Sequence, residues 1–133
     1  MNRMITFAAA TAALAVAASA PAVAQRWHPN VWRTIAFTRV NGNDTDTIRL
    51  PGTMRYRQMR LCVYGAPLEM RDLDVRFANG GHQDVRVRYL MRAGTCTRNI
   101  DLRGRYRDVR LIRMQYAPLR RGWMRPTVRV QVR

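Results

Sequence analysis

The residues best suited to binding chemistry lie near the end of the printed sequence. Arg120, Arg121 and Arg125 surround Trp123 in a short stretch without an acidic residue. Guanidinium groups bind phosphate or sulfate oxygens in pairs, and an indole ring can stack on a ligand. Residues 103–133 hold ten Arg and a single acidic residue. This third of the chain is therefore predicted to bind a polyanion: lipopolysaccharide phosphate, an anionic polysaccharide or extracellular nucleic acid.

A compositional explanation competes with this prediction. All 24 basic residues are Arg, against 8 acidic residues, and the formal net charge is +16. The use of Arg at every basic position indicates a compositional bias of the genome rather than selection at each site. An excess of positive charge by itself predicts solubility and non-specific binding, not a dedicated function. Under this explanation Trp32, Tyr89, Tyr116 and Trp123 are core or rim residues rather than ligand stackers.

Side chains for the common catalytic mechanisms are scarce. Ser19 is the only Ser and there is no Lys, so residues 25–133 have no Ser-based triad and no Schiff-base lysine. His28 and His82 have no second His or Cys at ligand spacing, so we expect neither a metal site nor a cofactor. The chain is predicted not to be an enzyme. An enzyme with an unfamiliar Arg/Asp site is the third alternative.

The few carboxylates lie beside turn residues or among arginines. Asp44 and Asp46 follow Asn and Gly residues, which is typical of a turn and conceivable as a weak Ca²⁺ site. Asp72 and Asp74 share one predicted strand face. The arginines around them are expected to lower their pKa, against the raised pKa that a glycosidase acid needs.

Residues 1–24 have the order of a secretory signal peptide. Arg3 precedes an apolar stretch at 5–18, and Ala22, Val23 and Ala24 flank a cleavage site before Gln25. The apolar stretch is too short for a membrane span. We therefore expect a periplasmic or secreted protein whose residues 25–133 form one domain.

Two cysteines, Cys62 and Cys96, remain in that domain. An oxidising compartment favours a disulfide between them, the one intrachain pairing that two cysteines allow. A free reactive thiol needs a nearby base, and a zinc site needs more ligands than the neighbouring sequence supplies.

Apolar residues alternate with polar ones at a period of two, which predicts strands rather than helices. Eight short strands are predicted, at 32–40, 45–50, 59–63, 73–77, 85–89, 96–102, 109–116 and 128–132. Turn signals such as Asn41-Gly42 and Asn79-Gly80-Gly81 separate them. Strands of this length and spacing predict an all-β fold, a single small antiparallel β-sandwich.

One hairpin can be registered from the pattern of core faces. The pairs are Phe77–Val85, Val75–Val87 and Leu73–Tyr89, because a one-residue slip would turn the apolar set to solvent. This register places Arg76 opposite Arg86. The two like charges are either neutralised by nearby Asp residues or bind an anion between their guanidinium forks.

From Leu68 onward the chain resembles a family of small secreted bacterial domains of unknown function. The resemblance lies in residues 68–73, 75–80, 92–94, 97–102, 104, 107–109 and 114–116. It implies a compact, exported β-sandwich with no assigned reaction, and it carries no catalytic residue over.

The leading hypothesis is thus an exported binding or structural domain that recognises a polyanion through its Arg-rich third. The alternative is an interaction module that adds a strand, or presents a face, to another envelope protein.

Overall fold

The computed structural model describes residues 31–51 and 54–133. These residues form ten strands and no helix. The predicted signal peptide, its cleavage site before Gln25, and His28 lie outside the described residues. The strands are β1 (Arg33–Arg39), β2 (Thr45–Arg49), β3 (Gln58–Tyr64), β4 (Leu68–Phe77), β5 (His82–Val85), β6 (Tyr89–Met91), β7 (Thr95–Cys96), β8 (Ile100–Asp101), β9 (Val109–Tyr116) and β10 (Thr127–Val132).

Two antiparallel sheets pack against each other, which confirms the predicted sandwich. The first sheet has the order β1-β10-β3-β7, with β8 also paired to β3. The second has the order β2-β9-β4-β5, with β6 also paired to β4. Among the described residues, no helix has the length and apolar character needed to span a membrane.

The core lies between the sheets and follows the period-two alternation of the sequence. Met59, Leu61 and Val63 of β3 are fully buried, as are the inward residues of β10, β4 and β9. The intervening residues of β3 and β10 face outward on the first sheet. Because alternate residues of a strand point to opposite faces, burying the apolar set also fixes which polar side chains share the outer face.

Two of the eight predicted strands are each split in the structure. The predicted strand 85–89 becomes β5 and β6, which both pair with β4. Three residues, 86–88, separate Val85 from Tyr89, but only two separate their partners Leu73 and Met70. The extra residue interrupts the ladder as a bulge does. The predicted strand 96–102 similarly becomes β7 and β8.

The predicted register of the β4–β5 hairpin is wrong. Leu73 pairs with Val85, and Arg76 pairs with His82 rather than Arg86. The turn sets this register, because the Phe77 amide donates to the Gly81 carbonyl at 2.9 Å and closes the loop before His82. The observed pairing is displaced from the predicted one by an even number of residues. The apolar side chains therefore stay buried in either register, and the sequence pattern cannot distinguish the two.

The predicted cysteine pairing is present. Cys62 of β3 lies directly opposite Cys96 of β7, and their sulfur atoms are 2.01 Å apart. The bond ties the two-residue strand β7 to the centre of the first sheet across a sequence separation of 34.

We expect replacement of both Cys62 and Cys96 by Ala to lower the free energy of unfolding by about 3 kcal/mol. The reason is that the unfolded chain regains the entropy of the opened loop. Urea unfolding with and without a thiol reductant measures the effect. Reductant should destabilise the parent and leave the double variant unchanged. Equal stability of the parent and the double variant would contradict this account.

Candidate anion-binding face

The predicted binding residues 120–125 lie in the exposed loop between β9 and β10. The Trp123 amide donates to the Arg120 carbonyl at 3.1 Å, and Gly122 has a φ of 85°, which is the pattern of a type II turn. This turn brings the Arg120 guanidinium to 5.4 Å from the Trp123 ring centroid. Trp123 is 57% exposed, so it is not a core residue.

Arg76 and Arg86 do not form the predicted facing pair. Nε of Arg76 lies 3.2 Å from a carboxylate oxygen of Asp74. Arg86 falls in the interruption between β5 and β6, and its carbonyl accepts a hydrogen bond from Arg98. The facing pair on which that anion site was predicted is therefore absent, because its register is not the one that forms.

The ten arginines of residues 103–133 do not share one surface. Those at 103, 105 and 107 lie in the loop before β9, at the opposite end of the sandwich from Arg120. Arg113 pairs with Asp74 in the ladder of the second sheet, whereas Arg129 lies on β10 of the first sheet. Proximity along the chain thus grouped residues that the sandwich separates.

The structure instead reveals two arginines held on one indole ring, a site that the sequence did not indicate. The guanidinium carbons of Arg60 and Arg133 lie 4.4 Å and 4.5 Å from the ring centroid of Trp32. Both side chains are half-buried. We call Trp32 with these two arginines the Trp32 clamp.

A glutamine holds each arginine of the Trp32 clamp in place. Nε of Arg60 donates to the side-chain oxygen of Gln131 at 2.7 Å, and Nε of Arg133 donates to that of Gln58 at 2.7 Å. The antiparallel register of β3 and β10 produces both contacts, because it sets Arg60 opposite Gln131. Stacking and one hydrogen bond fix each guanidinium plane, and its terminal N–H groups have no hydrogen-bond partner among the described residues.

A third stacked arginine extends the clamp along the same sheet face. Arg129 lies two residues before Gln131 on β10 and therefore projects from the same face. Its guanidinium carbon lies 4.4 Å from the Tyr64 ring centroid. Trp32, Arg60, Tyr64, Arg129 and Arg133 together are called the basic face.

Acidic side chains lie mostly elsewhere. In the described part of the chain, Arg76 is the one arginine with a carboxylate within 4 Å. Asp101 at the β8 edge accepts a hydrogen bond from Gln58 beside the basic face. Four acids instead lie on the two hairpin strands of the second sheet: Glu69, Asp72, Asp74 and Asp84. Within the described residues, no guanidinium group of the basic face has a carboxylate within 4 Å.

The acidic residues on β4 and β5 of the second sheet form a cluster in which the pKa of Asp72 is raised. Burial raises the pKa of Asp72, and a hydrogen bond and repulsion from Asp84 raise it further, outweighing the attraction of Arg88. The prediction that surrounding arginines lower this pKa is therefore wrong. His82 is exposed, and its Nδ1 lies 3.3 Å from Asp74. The adjoining cavity is open, with a volume of about 250 Å³.

The predicted turn at 41–46 contains a buried tyrosine contact. The Tyr116 hydroxyl donates to Asp46 at 2.6 Å and accepts from the Gly42 amide at 3.0 Å. Burial and the Asp46 contact raise the pKa of Tyr116 well above its ordinary value. The Asp46 carboxylate thus fastens the turn to the core. Among residues 31–51 and 54–133, no three His, Cys, Asp or Glu side chains are placed to hold a metal ion.

Comparison with known proteins yields one family. Residues 7–131 match the family model described as Domain of unknown function (DUF2541). The match extends upstream of Leu68, where the sequence showed only generic strands. No curated protein and no solved structure matches the chain.

Replacing Asp72 by Asn should stabilise the protein at neutral pH. Because the pKa of Asp72 is raised on folding, the folded state binds the proton more tightly than the unfolded state. The associated stability is present below the unfolded pKa of about 3.9 and is lost as pH rises through the folded pKa. The gain from Asn should therefore vanish at acidic pH. Denaturant unfolding across pH measures this, with Glu69→Gln as the control for loss of one charge on β4. A gain that persists below pH 3.9 would contradict the assignment.

Proposed function

For this chain, which belongs to the family of domains of unknown function DUF2541, we propose an exported, non-enzymatic domain that binds an anionic polysaccharide through the basic face. The ligand class is a sugar polymer bearing sulfate, phosphate or carboxylate groups. Such polymers include the phosphorylated sugars of lipopolysaccharide.

The Trp32 clamp is the observation that carries this proposal. Each of its arginines is fixed by the same indole and by a glutamine oxygen, so little side-chain entropy remains to be lost on binding. A guanidinium group presents a rigid fork of N–H donors that matches two oxygens of one anionic group. Two such groups beside one ring favour a ligand with closely spaced anions.

The extent of the basic face favours a polymer over a small anion. Arg129 and Arg133 are about 13 Å apart along β10, because strand residues rise about 3.3 Å each. The loop with Arg120, Arg121 and Arg125 leads directly into β10, at the end of the strand nearer Arg129. A chain of anionic groups could contact the clamp, Arg129 and the loop together.

The state of the aromatic rings favours a polysaccharide over a nucleic acid. Single-strand binding proteins stack bases on open aromatic faces. Here a guanidinium group lies against each of Trp32, Tyr64 and Trp123. What the surface offers is therefore mainly N–H donors for oxyanions.

An extracytoplasmic location supports the choice of ligand. The predicted signal peptide and the disulfide between Cys62 and Cys96 are both typical of exported proteins. Envelope and extracellular polysaccharides are the anionic polymers that such a protein meets.

Replacing Arg60 and Arg133 together by Gln tests the proposal. We expect the affinity for heparin, used as a model anionic polysaccharide, to fall at least tenfold, and its dependence on salt to become flatter. Isothermal titration over a series of salt concentrations gives both quantities. Arg110→Gln with Arg113→Gln is the matched control, because it removes the same charge from exposed sites outside the basic face.

Two outcomes would overturn the assignment. If both double variants lose the same affinity, binding follows net charge rather than the clamp. If single-stranded DNA binds more tightly than heparin, the ligand class is nucleic acid.

The triple variant Arg120→Gln, Arg121→Gln, Arg125→Gln should weaken heparin binding less per arginine than the clamp variant does, because the described structure fixes only Arg120 of these three against a ring.

A further inference from the structure

An open groove lies on the side of the sandwich where β1 and β2 are neighbours. It has a volume of about 630 Å³, and its lining is mainly apolar: Thr34, Ile35, Ala36, Phe37, Arg49, Leu50 and Pro51. Phe37 is 73% exposed. A large apolar side chain with this exposure beside a groove is typical of an interaction surface.

Both strands beside the groove are terminal in their sheets. In the described part of the chain β1 pairs with β10 alone, and β2 pairs with β9 alone. Each therefore presents one row of backbone N–H and C=O groups without a ladder partner among residues 31–51 and 54–133. Such an edge is a template for adding another strand.

We propose that this groove receives an extended segment of another protein, which adds an antiparallel strand to β1. The regular part of the β1 ladder runs from Ala36 to Arg39, since a register shift lies between Thr34 and Ala36. Backbone hydrogen bonds along this part supply affinity. Apolar side chains of the added strand enter the groove toward Ile35, Ala36 and Leu50.

Charge complementarity defines the chemistry of the partner. Arg33 and Arg39 lie at the two ends of β1, Arg49 lines the groove, and none of the described residues that line it is acidic. Opposite charges on paired strands are stabilising, and like charges are destabilising. The partner segment therefore alternates apolar and acidic residues.

The same charges argue against a second copy of this chain as the occupant. An antiparallel pairing of two β1 strands centred on Ala36 would set the Arg33 end of each copy beside the Arg39 end of the other. Two pairs of like charges would then face each other without an acid from either strand.

The test uses a capped heptapeptide of alternating Glu and Val, titrated into the intact exported protein. We expect saturable shifts of the backbone NMR signals of Thr34 to Arg39, and protection of β1 amides from hydrogen exchange. A peptide with the same residues in two blocks keeps the charge but cannot alternate its faces, so it should bind at least tenfold more weakly. Phe37→Glu should weaken binding of the alternating peptide by a similar factor, and Thr47→Glu on β2 is its control.

Separate outcomes distinguish this inference from the proposed function. The variant with Arg60→Gln and Arg133→Gln should bind the peptide as the parent does, because the regular part of the β1 ladder pairs with residues 127–130 of β10 and not with Arg133. Equal binding of the two peptides, or signal shifts confined to the basic face, would overturn strand addition at β1. A concentration-dependent dimer in sedimentation experiments that the peptide does not disrupt would assign the groove to a second copy.

Discussion

This chain has twenty-four arginines but only eight acidic side chains, and this imbalance determines which groups position the guanidinium groups on the folded surface. Ion pairs cannot satisfy more than a fraction of them. Among the described residues, one arginine has a carboxylate within 4 Å, whereas six guanidinium–aromatic contacts are present. Aromatic rings and amide oxygens therefore replace carboxylates as the groups that position arginine. They leave its positive charge intact.

This replacement has different consequences on the two sheets. On the first sheet, stacking on Trp32 and Tyr64 orders guanidinium groups whose charge stays available to a ligand. On the second sheet, the acids gather on β4 and β5, where Asp74 lies opposite Asp84 in the ladder. The folded domain thus separates a basic face from an acidic cluster formed by Glu69, Asp72, Asp74 and Asp84. Under the proposed function, this separation would make polyanion binding a property of one face rather than of net charge.

The sequence predicted the architecture well because strand alternation is local. The alternation of Val128, Val130 and Val132 predicts both a strand and its buried face, and the structure confirms both predictions. Strand register is harder to predict from the sequence. The β4–β5 register depends on the turn at 78–81, and the alternative register buries the same residues. The bulge that divides β5 from β6 adds a single residue, which alternation over so short a stretch does not reveal.

The Trp32 clamp could not be found from the sequence for a related reason. The contact between Arg60 and Gln131 joins residues 71 positions apart, and it exists only once β3 and β10 pair in one register. The Arg-rich third stood out because its residues are close in the chain. The sandwich places the consecutive strands β9 and β10 on different sheets, so local density of arginine is a poor guide to a shared surface. The sequence does show Gln and Arg at alternate positions of both β3 and β10. It does not show that these two strands pair with each other.

The most direct test removes the ring and keeps every charge. Trp32→Ala leaves the net charge unchanged but frees both guanidinium groups of the Trp32 clamp. We expect the affinity for heparin to fall about tenfold, equivalent to about 1.4 kcal/mol. Tyr89→Ala, which removes an exposed ring from β6 of the second sheet, should retain the parent affinity, and circular dichroism should show both variants folded. If Trp32→Ala binds heparin as tightly as the parent at every salt concentration, ordered arginines do not make the site, and the central claim fails.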